Sequence, residues 1–236
     1  MESAAIRKNK LNNNSTSKKS SVGNNVIFLI LCALVVVFLA PIIFIIVNSF
    51  KGKFFISDNP FSFPTAETFV GLTNYIHGLE KTGFLSAMGW SFFITILSVL
   101  GIIIFTSMTA YYITRVKSKI TSVMYYIFVF SMIVPFQMVM FPMVKLADTL
   151  NLSNPLGMVA LYLGFGSGLS VFMFSGFIKS IPMEVEEAAM IDGCNPLQTY
   201  FHIVLPILKP TAITVAILNA MWIWNDYLLP YLLIPL

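Results

Sequence analysis

Of the 236 residues, 57% are hydrophobic and only 10% are charged, with a formal net charge of +4. Soluble domains carry about 25% charged residues, so this composition, with a mean hydropathy of +0.84, excludes a water-soluble domain and describes an integral membrane protein. Two cysteines and two histidines are too few for a disulfide framework or a metal centre.

In chain order, residues 1–25 are a low-complexity run rich in Asn, Ser and Lys, predicted to be a disordered tail. Five apolar segments follow, at 26–50, 86–113, 120–144, 156–178 and 211–233. Each is near the length of about 20 residues that crosses a bilayer as a helix. None shows the strict alternation of barrel strands, so the predicted fold is all-α and polytopic. The first segment is too long for a signal-peptide core and lacks a small-residue cleavage site, which makes it an uncleaved anchor. Cys32 lies in this segment and Cys194 in a later polar loop, so they form no structural disulfide.

Positive charge sets the orientation. With the N-terminus inside, the cytoplasmic segments carry Arg7, Lys8, Lys10, Lys18, Lys19, Arg115, Lys117, Lys119, Lys179 and Lys209. The outer segments keep Lys51, Lys53, Lys81 and Lys145. That bias is the one expected of a plasma-membrane protein, and it accounts for the net charge without nucleic-acid binding.

Between the fourth and fifth spans lies a polar island, 179–209, that gathers Glu184, Glu186, Glu187 and Asp192. Its punctuation predicts two short helices meeting at a corner. Ser180 or Ile181 caps the first and Pro182 sits in its opening turn. Gly193 supplies the left-handed residue that ends it. Asn195, Pro196 and Gln198 restart the chain as a capping box, and the second helix is expected to stop near Leu205 because Pro206 follows. At 100° per residue, Glu184, Glu187, Ala188 and Ile191 share one side of the first helix. The small Ala188 and Ala189 admit a close partner and Glu187 offers it a charge; a merely solvated connector is the alternative on charge alone.

The register Glu187-Ala188-Ala189, Gly193, Ile203, Leu205, Pro206 (E-A-A-x3-G-x9-I-x-L-P) resembles the EAA loop of permease subunits of ATP-binding-cassette (ABC) importers. Two weaker patterns, Phe69-Val70-Gly71-Leu72-Thr73-Asn74-Tyr75 and Trp224-Asn225-Asp226-Tyr227, look like carbohydrate importers, specifically the maltose-transporter G-type subunit. The resemblance implies a type I importer fold and a permease that moves a carbohydrate across the plasma membrane. It also implies ATPase coupling through Glu187, Ala188, Ala189, Asp192, Gly193, Ile203, Leu205 and Pro206. The implied partners are a second homologous permease, two cytoplasmic ATPase subunits, an extracellular solute-binding protein and membrane lipid. Such permeases have six spans and a basic cytoplasmic tail. Five are seen here, so the chain reads as C-terminally truncated.

Ionisable groups inside membrane spans usually mark a transport path, and here they are almost absent. Gln137, between Pro135 and Pro142, is the best polar candidate, although a bond to a neighbouring helix is the plainer role. Asn219 is second. Asn225 and Asp226 suit either contact with sugar or an interfacial polar cap beside Trp224 and Tyr227. Met132, Met138, Met140 and Met143 read as packing rather than a metal path. No phosphate loop, catalytic constellation or metal-ligand set is present in the sequence, so the chain is expected to hold no cofactor or metal and to be no enzyme, ATP being bound by the partners. An ATP-independent secondary transporter or channel is the alternative, and repeats or midplane charges would favour it.

Overall fold

The computed structural model describes residues 2–234, with side chains from residue 23 onward. Among these residues the secondary structure is helical, apart from one isolated antiparallel bridge between Lys51 and Phe69. The chain forms two compact units, Met1–Phe84 and Leu85–Leu236.

The first unit opens with α1, Glu2–Ser49, whose stretch from Gly23 is long and apolar enough to cross a membrane. The disordered tail expected over 1–25 falls almost wholly on residues whose side chains lie outside the described ones. After α1 come α2 (Lys53–Asp58) and α3 (Thr73–Thr82). The Phe69–Tyr75 pattern closes the chain back onto the end of α1. Phe69 stacks on Phe50 at 6.1 Å between ring centres, and Asn74 donates from Nδ2 to the carbonyls of Ser49 and Lys51, each at 2.8 Å. Lys51 is buried, and its Nζ donates to the Asn59 carbonyl at 2.9 Å.

The second unit comprises α4 (Phe84–Arg115), α5 (Lys119–Ser131), α6 (Phe136–Thr149), α7 (Pro155–Ile178), α8 (Met183–Ile191) and α9 (Pro196–Thr199), then a π-helical turn over Tyr200–Val204, α10 (Leu205–Ile207), α11 (Lys209–Asn225) and α12 (Leu228–Leu233). Helices α4 and α7 are single, straight-through spans by length and composition.

Two predicted spans need correction. The segment 120–144 is not one helix: α5 and α6 meet at 107°. Pro135 has no amide to donate and pushes Val134 out of helical geometry, so the chain restarts with Pro135 as the cap of α6. The segment 211–233 breaks as well. Asp226 is extended, and its Oδ1 accepts from the Leu228 amide at 3.0 Å to start α12.

Helix α7 lies at the centre of this unit, packed against α5 and α11. Its small residues make that possible. A Cβ on Gly166 would lie 2.6 Å from Ile102 Cδ1 and 2.7 Å from Asn219 Oδ1. One on Gly168 would meet Ser131 Oγ at 2.5 Å and the Phe128 carbonyl at 2.8 Å. Lipid offers helices no hydrophobic reason to associate, so close backbone approach of this kind carries the packing. Ile102, Met158, Tyr162, Val171, Phe174 and Val215 fill the core around it.

This packing yields a graded test. Gly166→Val should destabilise the purified protein by about 1–3 kcal/mol, the usual cost of overfilling a packed interior. Gly164→Ala, where a Cβ meets nothing within 4 Å, should leave the melting temperature unchanged. Thermal unfolding in detergent followed by tryptophan fluorescence measures both.

Candidate functional site

The polar island folds as the predicted elbow. Helix α8 ends in a Schellman motif: Gly193 takes φ 92°, its amide reaches the Met190 carbonyl at 3.1 Å, and the Cys194 amide reaches Ala189 at 3.0 Å. The capping box at α9 is formed, with Asn195 Oδ1 accepting from the Gln198 amide and Gln198 Oε1 accepting from the Asn195 amide, both at 2.9 Å. At the start of α8 neither Ser180 nor Ile181 caps. Pro182 holds that position without a side-chain bond, and Ser180 donates back to the Phe177 carbonyl.

The second arm does not stop at Leu205. It widens into the π turn, where the Leu205 amide bonds to the Tyr200 carbonyl, and then passes through Pro206 to Leu208. A proline ring in a helix strikes the carbonyl four residues back; enlarging the turn ahead of it makes room for the ring and lets the helix continue. The bend comes at Leu208, where α11 leaves at 73°.

Glu184, Glu187, Ala188 and Ile191 are all exposed along one side of α8, and Ile191 is 86% exposed. Asp192, Gly193 and Pro206 are exposed as well, while Ile203 and Leu205 are half-buried. Ala189 is different. It is buried against its own chain rather than offered to a partner.

Beside Ala189, Glu186 is only 1% exposed, and this residue is the one the sequence reading passed over. Its Oε1 accepts from Arg115 Nε at 2.8 Å and forms an ion pair with Nη2 at 2.5 Å. Its Oε2 accepts from the Tyr111 hydroxyl at 2.8 Å. Arg115 Nη2 also donates to the Ile181 carbonyl at 3.1 Å. One turn further up α4, Ser107 Oγ shares a 2.7 Å hydrogen bond with the Tyr200 hydroxyl, and the Tyr111 and Tyr200 rings sit 5.4 Å apart. Ser107, Tyr111 and Arg115 recur every fourth residue, so a single stripe of α4 grips both arms of the elbow. The available signal was helical phase: Glu186 and Glu187 point 100° apart, so they cannot both face solvent squarely.

The four path candidates fall in separate environments. Gln137 is exposed at the start of α6. Asn219 is buried and donates to Ser170 Oγ at 3.2 Å and to the Val215 carbonyl at 2.9 Å, joining α11 to α7. Asn225 is exposed and donates to the Met221 carbonyl of its own helix. Asp226 lines a cavity of about 570 Å³ together with Trp90, Tyr162, Trp224, Tyr227 and Tyr231. The Tyr162 hydroxyl donates to Asp226 Oδ2 at 3.0 Å.

Comparison with known proteins bears on the family and the fold. Residues 102–235 match the family model described as binding-protein-dependent transport system inner membrane component. The chain is 44% identical over 198 residues to the probable starch degradation products transport system permease protein AmyC of Thermoanaerobacterium thermosulfurigenes, covering 84% of this chain and 71% of that one. It is 38% identical to the multiple sugar-binding transport system permease protein MsmG of Streptococcus mutans, covering 83% and 70%. It is 32% identical to the melibiose/raffinose/stachyose import permease protein MelC of Bacillus subtilis, covering 79% and 67%. A chain in the crystal structure of a bacterial ABC transporter involved in alginate import superposes with a TM-score of 0.75 at 23% identity, covering 91% of this chain and 75% of that one, and this likeness shows the fold.

The Arg115–Glu186 pair should respond asymmetrically to mutation. Arg115→Met strands a carboxylate that is 1% exposed, and leaving such a charge unpaired costs about 3–5 kcal/mol. Glu186→Met strands Arg115, which is 16% exposed and keeps the Ile181 carbonyl, so it should cost less. The double substitution to Met should be milder than Arg115→Met alone. Limited proteolysis within 179–209 reads the order directly.

Proposed function

From a chain that belongs to the binding-protein-dependent transport inner-membrane component family, and to its carbohydrate-importing, maltose-transporter G-type permeases, we propose a coupling mechanism centred on the elbow of α8 and α9. The protein is a multi-pass membrane permease subunit of an ABC importer for carbohydrate, and its family is a transporter component rather than a catalytic one.

The observation that carries the mechanism is the division of α8 into two faces. Glu186 fastens it to α4 and Ala189 is buried on the inner side, which leaves Glu187, Ala188 and Ile191 free on the outside. A helix held this way moves with the span it is tied to. We assign the outer face to a cleft on a cytoplasmic ATPase subunit, with Glu187 meeting a basic group and Ala188 allowing close approach. Gly193 and Asp192 form the corner; Ile203, Leu205 and Pro206 carry the second arm back to α11. Two such ATPases bind and hydrolyse the ATP, a second homologous permease completes the central path, and an extracellular solute-binding protein delivers the sugar. The charge bias supports a cytoplasmic N-terminus and a cytoplasmic elbow. The chain itself needs no cofactor or metal.

Among the path candidates, Asp226 suits sugar best. It sits in a cavity walled by aromatic rings, whose flat faces match the C–H faces of a pyranose while the carboxylate takes hydroxyl donors. Asn219 serves instead as a bond between α11 and α7.

Glu187→Lys brings like charges together across the proposed contact, which costs several kcal/mol, so retention of the ATPase on purification should fall by more than about tenfold. Gly193→Val forces a branched side chain onto a φ of 92° and should uncouple uptake in the same way. Both variants should still insert in the membrane. Normal ATPase retention and sugar uptake in both would reject the contact. Uptake driven by an ion gradient after the ATPases are removed would instead make the protein a secondary transporter.

A further inference from the structure

At the same end of the second unit as the elbow, a cavity of about 900 Å³ opens between the α4–α5 turn and the end of α7. Three lysines line it, Lys117, Lys119 and Lys179, and no acidic side chain does. The hydroxyls of Ser118 and Ser122 border it from the first turn of α5. Two further hydroxyls have no partner among the described residues: Thr114 Oγ1 and Ser175 Oγ, both buried atoms of residues that line this cavity. Ser175 is completely buried. Both oxygens are closed off from the cavity, so the charge of its lining, three lysines and no acid, is what points to an anionic ligand. Lys179 is already ordered there, its Nζ lying 5.1 Å from the centre of the Tyr125 ring.

The cavity continues along α5. Val123 and Tyr126 are shared with a second groove of about 520 Å³, whose other walls are Ile127, Val129, Phe130 and Ile133. This groove is apolar throughout. Orientation within the membrane requires basic residues on one side of the bilayer, but it does not require them to converge on one cavity or that cavity to open into an apolar channel.

We propose that this composite site holds one anionic diacyl phospholipid, its phosphate among Lys117, Lys119 and Lys179 and an acyl chain along the α5 groove. The charge selects the headgroup: a zwitterionic lipid would bring a cation into a cavity with three ammonium groups and no carboxylate. The groove selects a lipid over free phosphate, which would leave six apolar side chains uncovered. Helix dipole adds to the attraction, because the N-terminus of α5 opens at the headgroup end. The lipid would tie α5 to α7 next to the elbow. This assignment rests on the membrane-embedded fold and not on the coupling mechanism.

The assembled importer, purified from vesicles of equal phosphatidylglycerol and phosphatidylcholine, should retain phosphatidylglycerol in excess, as read by native mass spectrometry. Each of Lys117→Gln, Lys119→Gln and Lys179→Gln should lower that excess by roughly fivefold, the contribution of one basic residue near an anionic surface. Ile127→Trp, which fills the groove and keeps every lysine, should lower it too. Inorganic phosphate at millimolar concentration should not displace the lipid. Equal retention of the two lipids, an excess untouched by all four substitutions, or displacement by inorganic phosphate would each overturn the proposal. So would lipid bound by the isolated chain and lost on assembly, which would give the groove to the second permease. The three lysine substitutions should retain the ATPase at the normal level, so failure of the coupling mechanism and failure of this site remain distinguishable.

Discussion

A carboxylate buried beside a membrane-spanning helix is the constraint on which the rest of the second unit depends. Glu186 is withdrawn from water and held by Arg115 and Tyr111 of α4. Such a pair adds little net stability, since removing two charges from water offsets most of their attraction. Its value is positional. The carboxylate has one satisfactory location, and occupying it fixes the rotation of α8 about its own axis. Every residue on the exposed side of α8 inherits its direction from that choice.

Small residues on α7 perform a related task within the membrane. Gly166 lets side chains of α4 and α11 press onto one helix, and Gly168 lets the backbone of α5 do so. Asn219 then reaches Ser170 across the gap. Close packing and one interhelical hydrogen bond replace the hydrophobic drive that lipid cannot supply. The span gripped by the elbow and the span at the centre of the unit are therefore parts of one packed body, with Ile102 of α4 seated over Gly166.

Local punctuation was readable in the amino-acid sequence, and tertiary pairing was not. Gly193, Asn195 and Gln198 act over three or four residues through backbone geometry, so their roles follow from order alone. The apolar runs likewise announce α4 and α7. What escaped detection depends on residues far apart in the chain. Glu186 looks like any acid in a first helical turn until Arg115 stands opposite it, and Ala189 looks like open surface until α8 is docked. Pro135 and Pro206 show a third limit. Both remove the same amide, yet one breaks its helix by 107° while the other is absorbed by a widened turn. The difference lies in what surrounds them: Tyr200 and Val204 are buried within the unit, whereas Val134 and Pro135 have no such packing to hold a distorted helix together.

The π turn has a consequence for how this segment tolerates change. Between Gly193 and Pro206 the chain contains a capping box, one turn of α9 and a single oversized loop of helix, with no slack among them. Replacing a side chain there alters one contact. Inserting or deleting a residue rotates everything beyond it by 100°, turning Tyr200 away from Ser107 or Val204 out of the core. The segment is thus strict about length, and the spacing of its motif is a count of helical turns before it is a signature of any partner.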